Sequence, residues 1–441
     1  VRAHVRPILE AALAAVEPRA AMARALALDG ETLVAAGTER VDLGGVDRIL
    51  LVGAGKAAAG MALGALDVLG ERITAGTVTV RDGYARPLPA RIETWEAAHP
   101  VPDTRGLAGA ASALRTARAA GPRDLVLCLL SGGASALWPA PPPGVSLSDL
   151  QGVTAALLRS GVPIGGANTV RKHLSRIAGG WLARAAWPAR VVALVVSDVV
   201  GSPPEVIASG PTVPDPTTYA DALEVLRAYA VEVPPAVRAH LQAGAAGEIP
   251  ETPKPDGLAF GRVSTHVVAR NRDALEAAAR EAERLGYRAT VVSDTMEGEA
   301  RAVGAEVAAL AWGAHAEGAS GRLPAAFLLG GETTVTVRGP GRGGRSQELA
   351  LSAAVELDGE PGVIVAAMGT DGTDGPTDAA GAVVDGTTVA RGRERGVDAR
   401  AALDRNDAYP FLRATGDLLV TGPTGTNAND LVLVLVDAPP E

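Results

Sequence analysis

Short apolar runs that end in glycine, serine or aspartate alternate along this chain with longer stretches whose apolar residues recur every three or four positions. The first kind predicts buried strands and the second amphipathic helices. Ile8, Leu9, Ala12, Leu13 and Val16 share one helical face near the start. RILLVGAGKAAAGMALGAL (48–66) then predicts a strand, a glycine turn and a helix. GTVTVRDG (76–83), DLVLCLLSGGASAL (124–137) and RVVALVVSDVVG (190–201) repeat the strand-to-loop pattern. Between them, 169–186 predicts one long helix with Val170, Leu174, Ile177 and Trp181 in a stripe. Strands apolar on both faces and alternating with helices imply a parallel sheet covered on both sides.

Around 241–257 the pattern lapses into QAGAAGEIPETPKPDG, which predicts a linker. A second α/β series follows, with a strand at 263–269, a helix at 271–285, a strand at 288–293 and a helix at 297–312. Three apolar strands then each enter a Gly/Thr/Asp/Asn loop: FLLGGETTVTV from 327, IVAAMGTDGTDGPTDAAG from 364 and LLVTGPTGTNANDLVLVLV from 418. Such strand ends place backbone N–H groups and carboxylates at one sheet edge, where open α/β proteins bind phosphorylated ligands and their metal ions. The expected organisation is two α/β domains, 1–245 and 255–441, with the site in a cleft between them.

Composition narrows the field. A length of 441 residues suits two or three domains. A net charge of −9 argues against a nucleic-acid partner. One cysteine, Cys128 in the run LVLCLL, excludes a disulfide framework and reads as a core filler in a reducing compartment. The longest apolar runs fall far short of the roughly 20 residues of a membrane helix. Arg2, Arg6 and Glu10 interrupt any apolar leader. A soluble, cytoplasmic protein is the expectation.

Several residues carry candidate chemistry. Gly53-x-Gly55-x-x-Ala58 satisfies a loose dinucleotide fingerprint, and a tight strand-to-helix turn is the alternative. Lys56 places a cation in the predicted first turn of a helix, where the macrodipole opposes it unless an anion is bound. The Walker A spacing is absent. Arg345 repeats the arrangement after the glycine loop 339–344, and Arg suits bidentate contact with phosphate or carboxylate. Two such cations suggest a clamp on one polyanion. Ser131, Gly132 and Gly133 can form a backbone nest, to which Ser135 adds a hydroxyl. Arg171 and Lys172 lie off their predicted helical stripe and suit an anion or a solvated face. Asp198 ends a buried strand and needs a partner. Asp371, Asp374 and Asp378 do not match a calcium loop, and turn chemistry accounts for some of them, with Asp374 left open between a turn and a ligand role. Asp198, Glu332 and Asp371 are the candidate Mg²⁺ ligands, because Mg²⁺ needs only one or two carboxylates beside phosphate and water. No two histidines have zinc-ligand spacing.

GAGKA (53–57), AHPVPD (98–103), SGGASAL (131–137), NTVRKHLS (168–175), SDV-G (197–201), IASGPT (207–212), GGETTVTV (330–337), GGR-QE (343–348), GTDGTDGPTDAAGA (369–382) and TGPTGTNANDL (421–431) resemble, in order, the motifs of the D-glycerate 2-kinase family. The resemblance spans nearly the whole chain. It implies a Rossmann-like three-layer first domain, a mixed-sheet MOFRL-type second domain, and ATP- and Mg²⁺-dependent phosphorylation of D-glycerate to 2-phosphoglycerate, with a homodimer left open. Lys56 and Arg345 fall on the family's catalytic cations. Asp198 and Asp371 are candidates for the base or for metal, with Glu332 near the ion. Gly53, Gly55, Ser131, Gly132, Gly133, Ser135, Asn168, Arg171, Lys172, Ser209, Gly210, Thr212, Gln347, Thr424, Asn427 and Asn429 are the expected substrate- and nucleotide-binding positions. The chain departs from the family pattern at Ala98, Ser202 and Ser346. Two other readings are an NAD(P)H-dependent hydroxypyruvate reductase, which the Gly53–Ala58 turn permits, and a non-catalytic nucleotide-binding protein.

Overall fold

The computed structural model describes residues 2–316 and 323–437. The chain opens with helices α1 (Arg2–Ala15) and α2 (Pro18–Ala25). Strands β1 (Leu26–Asp29), β2 (Thr32–Ala35) and β3 (Glu39–Asp42) then form a small antiparallel sheet. Two compact units result: Pro18–Ala269, and Val1–Glu17 together with Arg270–Glu441.

The 18–269 unit is built on strands β4 (Arg48–Ala54), β5 (Ile73–Arg81), β6 (Ile92–Ala97), β7 (Asp124–Ser131), β8 (Arg190–Val196) and β9 (Val263–Ala269). Every neighbouring pair is parallel, in the order β6-β5-β4-β7-β8-β9. The strand order reverses between β4 and β7, as in a Rossmann sheet, and ligands of such sheets bind beyond the carboxyl ends at that reversal. Its helices are α3 (Ala58–Leu69), α4 (Thr104–Arg118), α5 (Ala134–Leu137), α6 (Leu147–Arg159), α7 (Ile164–His173), α8 (Trp181–Ala186), α9 (Tyr219–Ala228) and α10 (Pro235–Ala245). Sheet and helices enclose a core that includes Val52, Val126, Leu130, Val195 and Leu182. Cys128 is buried there, and loss of water pushes its thiol far above its ordinary pKa.

The remaining unit adds α11 (Asn271–Arg284), β10 (Arg288–Glu299), α12 (Ala300–Ala316), β11 (Ala325–Thr334), α13 (Arg345–Glu356), β12 (Val363–Gly369), β13 (Gly381–Asp385), α14 (Thr388–Glu394), α15 (Ala399–Asp404), α16 (Ala408–Thr415), β14 (Leu418–Leu419) and β15 (Asp430–Val436). Its sheet runs β10-β11-β15-β12-β13-β14 and is mixed, since β10 and β11 are parallel and the other pairs antiparallel. Val363, Val365, Ala367, Val432, Val434 and Val436 present one face to residues of α12 and α13 such as Val307 and Leu351. Among the described residues, no helix is long and apolar enough to cross a membrane.

The structure corrects four local expectations. First, 169–186 is not one helix: α7 ends at His173, and the chain turns through Gly179 and Gly180, both at positive φ, before α8. Second, β10 runs on to Glu299, so the following helix starts at Ala300. Third, the strand at 263–269 does not open the second series; it pairs with β8 as the last strand of the first sheet. Fourth, the proline-rich 241–257 stretch does not join the two units. Its Pro253 carbonyl accepts from the Asp215 N–H, and Lys254 donates to the Asp215 carbonyl at 3.2 Å. Composition marked an exposed polar connection, but hydrogen bonds hold it within one unit. The contact-defined units accordingly differ from the 1–245 and 255–441 division.

Leu127 is fully buried in the central strand β7. Leu127→Ala should lower unfolding free energy by about 2–5 kcal/mol in a denaturant titration.

Candidate active site

In the 18–269 unit, the loops after β6, β7 and β8 converge on a cavity of about 350 Å³ lined by His99, Gly133, Ser135, Arg171, Asp198 and Ser209, among others. Gly55 makes the β4 turn feasible. Its φ is +126°, and a Cβ there would collide with the Ser131 hydroxyl and carbonyl. The β4 and β7 loops are locked together by two further bonds: the Ala57 N–H donates to Ser131 Oγ at 3.0 Å, and the Lys56 N–H to the Gly132 carbonyl at 2.9 Å. These are amides that a bound pyrophosphate would otherwise claim. Gly53 lies within β4 against Leu129 and is a packing residue of the sheet.

Lys56 stands one residue before the helix cap Ala57, not in the first helical turn as expected. Its Cγ lies 3.7 Å from the position of a Cβ on Gly133, and the His99 ring lies 3.1 Å from that position. Lys56, His99 and Gly133 thus meet beside the cavity. Ser135, Ser209 and Asn168 form a chain: Ser135 Oγ is 2.9 Å from Ser209 Oγ, which donates to Asn168 Oδ1 at 3.1 Å.

Arg171 and Lys172 part company. Both lie in the last turn of α7, where the helix dipole favours cations, rather than at a helix start. Arg171 lines the cavity, and burial lowers its pKa. Its guanidinium has no hydrogen-bond or ion-pair partner among the described residues. Lys172 is buried and pairs with the fully buried Asp215 at 3.4 Å. This buried ion pair lies outside the lining of the cavity. Gly210 takes φ +64° and accepts from the Gly180 N–H, while Thr212 shares a 3.1 Å bond with Thr265 of β9. Neither lines the cavity.

The second unit gathers charge where β11, β15 and β12 meet. Asp430 opens β15, with Gly331 and Gly369 as its cross-strand partners. It takes a bidentate bond from Arg345, 2.6 Å from Nε and 3.0 Å from Nη2. Arg345 Nη1 reaches Glu332 at 2.6 Å, and Asn429 donates to the other Glu332 oxygen at 3.3 Å. Burial pushes Asp430 up to about 7; Arg345 opposes this, and Asp374 and Glu332 reinforce it. Asp374 accepts from the N–H groups of Ser346 and Gln347 in the first turn of α13, at 3.1 and 2.8 Å. The anion that the Arg345 position called for is therefore already present, supplied by the protein's own carboxylates. Gln347 donates to the Asp374 carbonyl at 3.2 Å and to Thr377 at 2.9 Å, a structural role.

Asp371 accepts from Thr373 through both N–H and hydroxyl, a local turn. Thr424 ties the 421–429 loop to that turn by donating to the Thr370 carbonyl at 2.5 Å. Asn427 lies in the same loop, half-buried. Glu332 and Asp371 thus sit in the unit that holds Arg345, whereas Asp198 belongs to the other. Among the described residues, no group of three or more His, Cys, Asp or Glu side chains is set to hold a metal ion.

Sequence reasoning passed over His99 and Asp430 and left Asp374 open between turn chemistry and a role in the site. Asp430 carried the signal that flagged Asp198, a charge at the end of a fully apolar strand. His99 carried none beyond its place in AHPVPD.

Family models match two stretches of the chain: one described as Domain of unknown function (DUF4147), residues 4–242, and the MOFRL family, residues 325–430. A D-glycerate 2-kinase of Thermotoga maritima is 44% identical, covering 89% of this chain and 91% of the relative. A protein of Agrobacterium vitis named "putative hydroxypyruvate reductase" is 45% identical over 88% of this chain and 87% of its own. The crystal structure of a T. maritima glycerate kinase superposes with a TM-score of 0.84 at 41% identity, covering 98% of each chain.

The two neighbouring basic residues should respond oppositely to truncation. Lys172→Ala leaves Asp215 buried without its cation and should cost about 3–5 kcal/mol in a urea titration. Arg171→Ala should change stability by no more than about 0.5 kcal/mol.

Proposed function

The chain belongs to the D-glycerate 2-kinase family, and from that membership we propose that it transfers the γ-phosphoryl group of ATP to the C2 hydroxyl of D-glycerate, giving 2-phosphoglycerate and ADP. The observation that carries this reading is the cavity of the 18–269 unit. There a partnerless guanidinium, Arg171, shares the lining with a carboxylate, Asp198, and a hydroxyl, Ser135. A short hydroxy acid offers the complementary groups. Arg171 holds the glycerate carboxylate, Ser135 and Ser209, the latter backed by Asn168, take its hydroxyls, and Asp198 accepts the C2 proton.

Phosphoryl transfer asks a protein mainly for positioning and for neutralisation of charge. Lys56, at the reversal point of the first sheet, and Arg345 are the cations of that step. Asp371 and the 421–429 loop, with Thr424, Asn427 and Asn429, serve the nucleotide. A Cβ on Gly369 would meet the Thr373 carbonyl at 2.8 Å, with Asp371 Oδ1 and Asp430 Oδ1 at 3.5 and 3.6 Å, so hard oxygens crowd round this glycine and leave no open pocket there. Mg²⁺ is bound mostly through phosphate and water, and Asp371 is the protein carboxylate that would hold it. When bound, the ion offsets phosphate charge. Glu332 has both oxygens engaged by Arg345 and Asn429, and is assigned no metal.

The reductase reading loses ground at the first turn, where the Ala57 and Lys56 amides that a pyrophosphate would claim are taken by Ser131 and Gly132 at the end of β7.

A coupled ADP-release assay with D-glycerate, followed by identification of the product as the 2- or 3-phosphate, tests the function. NADH oxidation by hydroxypyruvate without ATP would replace it with the reductase. Lys56→Ala and Arg345→Ala should each lower kcat by about 100-fold or more with the fold intact. Arg171→Ala should raise the KM for glycerate by about 10-fold or more and leave that for ATP unchanged. A rise confined to ATP would assign the cavity to the nucleotide.

A further inference from the structure

Arg345 is shared by two carboxylates whose settings differ sharply. The Asp430 side chain is 4% exposed and that of Glu332 is 45% exposed. Asp430 is rooted in β15 between β11 and β12, and its own carbonyl, with that of Ala428, is held by the buried Asn271 side chain at 2.9 and 2.8 Å. Its bidentate grip fixes both the direction and the roll of the guanidinium plane. Glu332 instead meets one nitrogen, Nη1, from near the open end of β11, and its other contact is a 3.3 Å bond from Asn429. An exposed pair of this kind is weak and is exchanged readily for another anion, whereas a buried bidentate pair is not.

We propose that the two carboxylates divide the work on Arg345: Asp430 is a permanent positioning residue, and Glu332 is a place-holder that the anionic group of the substrate displaces from Nη1. The proposal deepens the kinase reading and rests on it for the identity of that group, a phosphoryl oxygen. Three consequences follow from the geometry. Before substrate arrives, the Arg345 donors are satisfied and its orientation is set. On arrival only the solvent-facing edge of the guanidinium changes partner. The released Glu332 carboxylate stays tethered to Asn429, close enough to return when the product leaves.

Inorganic phosphate is the probe, titrated calorimetrically at one ionic strength against wild type, Glu332→Gln, Arg345→Ala and the double variant. Loss of the competing charge should make phosphate bind about two- to five-fold tighter to Glu332→Gln. That gain should vanish when Arg345 is also replaced. Phosphate binding that is unchanged or weaker in Glu332→Gln overturns the place-holder role. Steady-state kinetics test the anchor: Asp430→Asn should lower kcat by about 100-fold or more while both KM values stay within about three-fold, and Asp430→Glu should recover part of kcat. Equal loss in the Glu and Asn variants with an intact circular-dichroism melt, or a loss confined to KM, overturns it. If wild type releases no ADP with glycerate, the kinase reading fails and the phosphate titration still decides the exchange. If wild type turns over normally and Glu332→Gln binds phosphate no better, only this proposal fails.

Discussion

A charge at the end of an apolar strand cannot be left without a partner, because transfer out of water costs more than a typical fold has to spare. Much of the polar architecture of this protein answers that constraint. Asp430 heads DLVLVLV and is met by Arg345. Asp374, buried beside it, is met by two amides at the start of α13. Lys172 and Asp215 meet each other inside the other unit. Each pairing fixes a loop or a helix end that a strand alone would leave free. Arg171, which lines the cavity, is by contrast a charge without such a partner among the described residues.

The parallel sheet was legible because its strands are apolar on both faces and its turns carry glycine, so pattern and turn chemistry agreed. The mixed second sheet was harder. Its antiparallel pairings depend on which strands meet in space, and only the resemblance to a known family supplied that. The strand at 263–269 was assigned to the wrong series because local composition reports exposure and not connectivity: a polar, proline-rich stretch before it looked like a boundary, yet hydrogen bonds to Asp215 pin it down. The long helix predicted over 169–186 failed for a related reason. Its stripe of apolar residues is real, but two glycines at positive φ break the chain inside it.

The site residues show the same division. Ser131, Gly133, Ser135 and Asp198 were legible as candidates from strand-to-loop junctions, since topology brings such junctions to one sheet edge, whereas Arg171 lies in the last turn of α7. The roles of Lys172, Thr212 and Gln347 were not, because a polar residue in a loop motif looks the same whether it faces a ligand or a neighbouring loop. Their partners in the structure are Asp215, Thr265 and Asp374, and each is distant in sequence. Gly55 illustrates how a motif can have a purely local cause. The glycine is required by Ser131 of the adjacent strand, so contact within the sheet alone accounts for the dinucleotide-like spacing.

The chain passes between its two units twice, at 17/18 and at 269/270, and at the second point the last residue of β9 is followed at once by the other unit. Dissection for biophysical work therefore has to respect a nested layout in which one unit is a contiguous insert within the other. A fragment ending at 245 would carry α1 away from the unit it packs in and would strip β8 of its outer neighbour. A fragment spanning 18–269 keeps every strand of its sheet. Its complement calls for a short loop joining 17 to 270.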